Sequence, residues 1–145
     1  MAAACPKLTE VSDQRSAVMQ INSAKDLIIY QKAYVLAMRV FELSKRFPVE
    51  EKYSLTDQVR RSSRSVCTNL REAWAKRRYP AHFISKLSDS DGENSETDSW
   101  LDFARDCGYF SINDHQELTI VCTEVGKMLG AMINNPSKFL LTSDR

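Results

Sequence analysis

A chain of 145 residues, 43% of them apolar, is long enough for one self-sufficient core and too short for two ordinary domains. Its formal net charge of +1 excludes a global electrostatic pull toward nucleic acid or membranes, so any such role has to come from local clusters. The four cysteines, Cys5, Cys67, Cys107 and Cys122, stand far apart without a Cys-x-x-Cys pair, which argues for reduced thiols in a cytoplasmic protein and against a disulfide framework or zinc site.

No apolar run nears the ~20 residues that cross a bilayer, and residues 1–16 lack the apolar stretch of a secretory signal, so a soluble, cytoplasmic protein without membrane contact is expected. Four glycines and four prolines are few, and they separate long stretches of helical periodicity. Residues 1–24 are polar and aperiodic and read as a flexible arm. A first helix is predicted over residues 26–46, ended by Phe47-Pro48. Leu27, Tyr30, Tyr34, Ala37, Met38 and Phe41 give it one apolar stripe, and Ile29, Leu36, Val40 and Leu43 give it a second. A bundle core needs only one stripe, so the second marks either a deeply buried helix or an oligomer interface.

The second helix is predicted from near Ser54, capped by Ser54 or Thr56, to residue 76, with Leu55, Val59, Ser62 or Ser63, Val66, Leu70, Ala73 and Trp74 inward. A third starts at Pro80, a residue suited to the first helical position, and ends near Cys107, where Gly108 can terminate it. Ser111 or Asn113 caps a fourth, whose inward face is Leu118, Val121, Cys122, Val125, Met128, Leu129 and Met132 and which stops at Asn134-Asn135-Pro136. Short connections between four such helices predict an all-α, antiparallel up-down-up-down four-helix bundle over residues 25–135, followed by a C-terminal tail at 136–145.

Helix two carries the most informative charge pattern. Arg60, Arg64, Arg71 and Arg78 fall within ~40° of one another on a helical wheel and make one basic stripe. With Arg61, Lys76 and Arg77, residues 56–79 hold seven bases against Asp57 and Glu72, a local charge of +5. Such a cluster is suited to phosphate backbones. Its counterweight is residues 88–106, where seven acids face only Arg105, a local charge of −6 able to neutralise helix two within or between subunits.

Helix three has Phe83, Leu87 and Leu101 on its inward face, yet Ser90, Asp91, Asn94 and Asp98 occupy the middle of that face. Buried carboxylates need partners, so Asp91 and Asp98 are expected to meet Ser62, Ser63, Arg64, Thr68 or Asn69 of helix two. Asn69, Asp91, Asn94 and Asp98 are thus the expected polar core network, fixing helix register. Neither His82 nor His115 has an acid three residues before it, so the Glu-x-x-His pattern of di-iron bundles is absent and neither metal nor other cofactor is expected. With no Gly-rich phosphate loop and no nucleophile beside either histidine, the chain does not read as an enzyme.

Asp26-Leu27-Ile28-Ile29-Tyr30-Gln31-Lys32-Ala33 resembles the opening of the four-helix-bundle proteins encoded in intervening sequences of bacterial large-subunit ribosomal RNA genes. Arg46-Phe47-Pro48, Tyr53-Ser54-Leu55-Thr56-Asp57-Gln58-Val59-Arg60-Arg61, Asn69 before Glu72, and Glu96 to Ala104 closing in Cys107-Gly108-Tyr109-Phe110 agree in order and spacing. The resemblance spans residues 26–132. Relatives of this family are similar to the accessory variability determinant of diversity-generating retroelements, which the resemblance connects with a homopentamer, nucleic acid and a reverse transcriptase. It singles out Arg60 and Arg61, which match the family's paired arginines. The chain departs from the family in Leu70-Arg71-Glu72-Ala73-Trp74, where many members carry small residues and a glycine.

Two readings follow. In the first, the chain is a non-enzymatic homo-oligomeric scaffold or adaptor, a pentamer by resemblance, held through Ile29, Leu36, Val40 and Leu43 and through helix-two bases on helix-three acids. In the second, Arg60, Arg61, Arg64, Arg71, Lys76, Arg77 and Arg78 bind DNA or RNA phosphates without base specificity, and the resemblance implies a reverse transcriptase as partner.

Overall fold

The computed structural model describes residues 20–142. Four α-helices make the bundle: α1 (Ile28–Ser44), α2 (Asp57–Ala75), α3 (Pro80–Asp106) and α4 (Ile112–Asn134). Each packs on its neighbour in sequence and α1 also packs on α4, so the up-down-up-down ring is closed. Of the expected arm, residues 1–19 lie outside those described, while Ala24 is fully buried in a short 3₁₀ turn (Ala24–Asp26) leading into α1. There the Ser23 hydroxyl accepts from the Lys25 N–H, and the Asp26 carboxylate reaches back to the Ser23 N–H, a capping box.

Local signals set most boundaries. Pro80 opens α3, where its missing N–H costs nothing. At the other end Gly108 has φ 76°, the left-handed turn that a Cβ would disfavour. Its N–H bonds to Arg105 O at 3.0 Å and the Tyr109 N–H to Ala104 O at 2.9 Å, the paired bonds of a Schellman stop. Ser111, not Asn113, caps α4, its hydroxyl accepting from the Asp114 N–H at 3.0 Å. The start of α2 differs from expectation. Neither Ser54 nor Thr56 caps it, because the chain is already wound in a π-type turn (Lys52–Thr56) in which the Asp57 N–H bonds to the Lys52 carbonyl. Ser54 instead bonds to the Glu51 carboxylate at 2.7 Å.

The core is built from Val59, Val66 and Leu70 of α2, Phe83, Leu87 and Leu101 of α3, and Leu118, Val125 and Leu129 of α4, all essentially inaccessible to water. Against them α1 turns Ile29, Ala33, Leu36, Val40 and Leu43. This corrects the interface expectation: Ile29, Leu36, Val40 and Leu43 are 3, 2, 2 and 1% exposed and lie inside the bundle, unavailable to another subunit. The reason is chemical. Those four positions carry purely aliphatic side chains, whereas the other stripe includes two tyrosines whose hydroxyls favour contact with water. Accordingly Tyr34 is exposed and Tyr30, Met38 and Phe41 are half-buried. The tail folds back: beyond a 3₁₀ turn (Pro136–Lys138), the Phe139 ring stacks 6.4 Å from Phe83, and the Leu141 N–H reaches Arg77 O at 3.3 Å.

Candidate functional site

The seven predicted basic residues do not share one fate. Arg61 points from α2 toward α3, where its guanidinium meets Glu96 at 2.7 Å and Glu93 at 3.1 Å. That hydrogen bonding holds the Glu96 carboxyl below its ordinary range and raises Arg61. Helix-two base on helix-three acid therefore occurs within one chain. Arg77 folds over the Trp74 ring with its Cζ 3.6 Å from the centroid and donates Nε to Trp74 O at 2.8 Å, closing the end of α2. Lys76 and Arg78 stand at the α2–α3 connection, Arg78 exposed and Lys76 half-buried.

Arg60, Arg64 and Arg71 form a different set, facing α1. Arg60 donates Nε to the Ser44 hydroxyl at 2.7 Å, and its Cζ sits 4.8 Å from the Phe41 centroid. Arg64 lies over the same ring at 5.6 Å. Arg71 is beside the Tyr30 hydroxyl, whose pKa burial raises while Arg71 opposes the rise. Tyr30 in turn stacks on Tyr34 at 6.2 Å with 25° between the ring planes. Arg60 and Arg64 thus lie by Phe41 and Arg71 by Tyr30, in antiparallel order, with Tyr34 stacked on Tyr30. Among the described residues no carboxylate comes within ion-pair distance of Arg60, Arg64 or Arg71. On the opposite flank of α1 the cations are paired: Lys32 with Glu124 at 2.6 Å, and Arg39 with Glu117 and Asp114 at 3.4 and 3.8 Å. An open groove of about 500 Å³ runs along α2, lined by Asp57, Arg60, Arg61, Arg64, Ser65 and Thr68.

The polar layer exists but is composed differently from the expected one. Asn94 is buried and donates Nδ2 to Cys122 O of α4 at 2.9 Å, while Ser90 donates to Val66 O at 2.9 Å. Ser62 and Thr97, both at 0% exposure, share a 2.8 Å hydrogen bond, completed when Thr97 donates to Glu93 O. Asn69 turns back on its own helix, bonding to Ser65 O at 3.0 Å. Asp91 and Asp98 do not pair with α2. Both are only half-buried and make no hydrogen bond among the described residues, and burial followed by the nearby Asp102 charge raises the Asp98 pKa. Thr97 and the Cys122 carbonyl escaped the sequence reading. The 3–4 spacing Ser90, Asn94, Thr97 and Leu101 from the buried Leu87 was the signal available for Thr97.

His115 is 8% exposed, its Nε2 2.8 Å from Asp102 and its ring edge-on to Phe110. Burial pushes the thiols of Cys67 and Cys122 up to about 12, so both are protonated packing groups. Among the described residues no cluster of three or more His, Cys, Asp or Glu side chains is placed to hold a metal ion, and no helix is long and apolar enough to cross a membrane.

A family model for the 23S rRNA-intervening sequence proteins matches residues 25–131. The chain belongs to that family. A solved structure of similar architecture is a protein of unknown function from the S23 ribosomal protein family of Bacteroides thetaiotaomicron. It is 29% identical, with a TM-score of 0.68 over 77% of this chain and 99% of the other. No curated protein matches. The intervening-sequence family therefore accounts for all four helices and leaves the activity open. The arginine and aromatic face lies wholly inside the matched span.

Proposed function

We propose that this intervening-sequence family member acts by binding and not by turnover, and that the α1/α2 face takes the phosphate backbone of a nucleic acid. The observation that carries this reading is the row Arg60, Arg64 and Arg71: three guanidiniums on one face with no carboxylate within ion-pair distance among the described residues, whereas Arg39 and Arg61, which face α4 and α3, are neutralised. Unpaired arginines held in place by ring contacts are pre-organised donors for phosphate oxygens. Arg61, taken by two acids, contributes little to such a surface.

Replacing Arg60 and Arg64 together by alanine removes two phosphate contacts. The slope of log affinity against log salt should then fall by about 1.4–1.8, at 0.7–0.9 per contact. Affinity measured by fluorescence anisotropy on labelled oligonucleotides checks it. A slope unchanged in the double variant would refute the assignment.

A homo-oligomeric scaffold is the second reading, supported by the resemblance to relatives of the retroelement accessory protein, which also suggests a pentamer in the cytoplasm and a reverse transcriptase as partner. With Ile29, Leu36, Val40 and Leu43 inside the bundle, subunits would meet through other side chains. Phe103, Ile112 and Ile120, more than half exposed, are the available apolar ones on α3 and α4. Sedimentation equilibrium at micromolar concentration should give an assembly of about five chains, and a monomer would end this reading.

A further inference from the structure

We infer that the ligand of the α1/α2 face is a single strand, with its phosphates on the arginine row of α2 and its bases stacked on the tyrosines of α1. The inference rests on the proposed nucleic-acid role and specifies the strand state.

Three observations point to it. Tyr34 is 49% exposed in a folded core-forming helix, although aliphatic residues were available to the neighbouring stripe. Its ring is already stacked on Tyr30, which Arg71 flanks, so the two tyrosines make a flat aromatic step at the end of the arginine row. Base-on-aromatic stacking is available only to unpaired bases, since a duplex buries its base faces. The arginine row also has the reach of a short strand. Arg60 to Arg71 is eleven residue steps, ~16 Å along α2. That length follows the backbone of about five nucleotides at ~3.4 Å each.

Charge fixes which side the backbone takes. Glu93 and Glu96 stand on the α3 flank of α2, drawn to Arg61, and would repel phosphates placed there. Asp57 closes one end of the groove with a further negative charge. The backbone is therefore directed onto Arg60, Arg64 and Arg71, and the bases turn toward α1. Phe41 has a distinct role, because Arg60, Arg64 and Lys45 already lie over its ring: it aims the guanidiniums and does not take a base.

The test uses the full chain and three labelled probes of equal charge: a thymidine 12-mer, an abasic 12-mer of the same backbone, and a duplex carrying the same number of phosphates. The thymidine strand should bind about 5- to 150-fold more tightly than the abasic one, the range for stacking one base. Tyr34→Ala should remove most of that difference and leave abasic binding unchanged, while Tyr34→Phe retains it. Equal binding of the thymidine, abasic and duplex probes, all weakened by the Arg60→Ala/Arg64→Ala change, would overturn the single-strand inference while the phosphate-binding role stands. Failure of every probe at about 50 mM salt would overturn both. If Tyr34→Ala alters the sedimentation of the protein and no probe's affinity, a second copy occupies the face and the inference is wrong.

Discussion

Leu36→Ala should lower the stability of the folded chain by about 2–5 kcal/mol, the range for removing a large aliphatic side chain from a packed core. Leu36 is 2% exposed and is among the largest fully enclosed side chains, seated with Ile29, Val40 and Leu43 against the other three helices. The loss has two parts. Three carbons lose their transfer from water, and the cavity left behind forfeits contacts because the surrounding helices relax only in part. Urea unfolding followed by circular dichroism gives the difference between variant and parent. That difference should be the same at two protein concentrations tenfold apart, since the contacts removed lie within one chain. An interface residue behaves otherwise: its removal shifts an association equilibrium, and the apparent loss then depends on concentration. A cost below about 1 kcal/mol, or one that varies with concentration, would place Leu36 between subunits after all.

The two stripes of α1 show how far the amino-acid pattern alone can lead. Both have helical spacing, so periodicity says that α1 is helical and apolar on two sides, without saying which side is inside. What decides is the chemistry at each position. Tyr30 and Tyr34 carry hydroxyls, and the α2 residue beside Tyr30 is Arg71, so this flank needs water. Ile29, Leu36, Val40 and Leu43 have no such requirement. Reading α1 against α2 as a pair, and not one helix at a time, would have found the aromatic and arginine face.

Helix ends were legible where one residue type serves one geometry: Pro80 at a first turn, Gly108 at positive φ, Ser111 accepting from an N–H. The start of α2 was not, because Ser54 and Thr56 are good caps only when the preceding chain is extended, and here it is already helical. In α3 the polar centre was visible but its partners were not. A run of Ser, Asp and Asn at inward spacing signals a polar layer, yet hydroxyls and amides can be satisfied by backbone carbonyls of another helix, which carry no sequence signature. Thus Ser90 found Val66 O and Asn94 found Cys122 O, while Asp91 and Asp98, which need donors or water, stayed at the margin.

Asn94→Asp should be tolerated in acid and strongly destabilising at neutral pH, although the two side chains have nearly the same shape. Asn94 supplies an N–H to the Cys122 carbonyl, and Gly126 brings α4 so close that a Cβ there would lie 3.4 Å from the Asn94 amide nitrogen. A protonated aspartic acid can replace that donor with an O–H. An ionised one cannot: it faces a carbonyl oxygen without a donor, in a buried site that Asp98 and Asp102 make more negative, as their effect on the Cys122 thiol shows. Burial and like charge both raise the folded-state pKa of the introduced carboxyl above its unfolded value of about 3.9. The variant therefore keeps its stability below about pH 4 and loses ~1.4 kcal/mol for each unit that pH rises toward the folded pKa, after which the loss is constant. A total of about 3–4 kcal/mol relative to the parent is expected at pH 7, because the roughly three pH units above the unfolded pKa limit the loss, however unfavourable the unpaired buried charge. Unfolding free energies of parent and variant compared from pH 4 to 8 give the answer. A pH-independent difference would mean that the introduced carboxyl keeps its unfolded pKa, so that position 94 is open to water and not enclosed against α4.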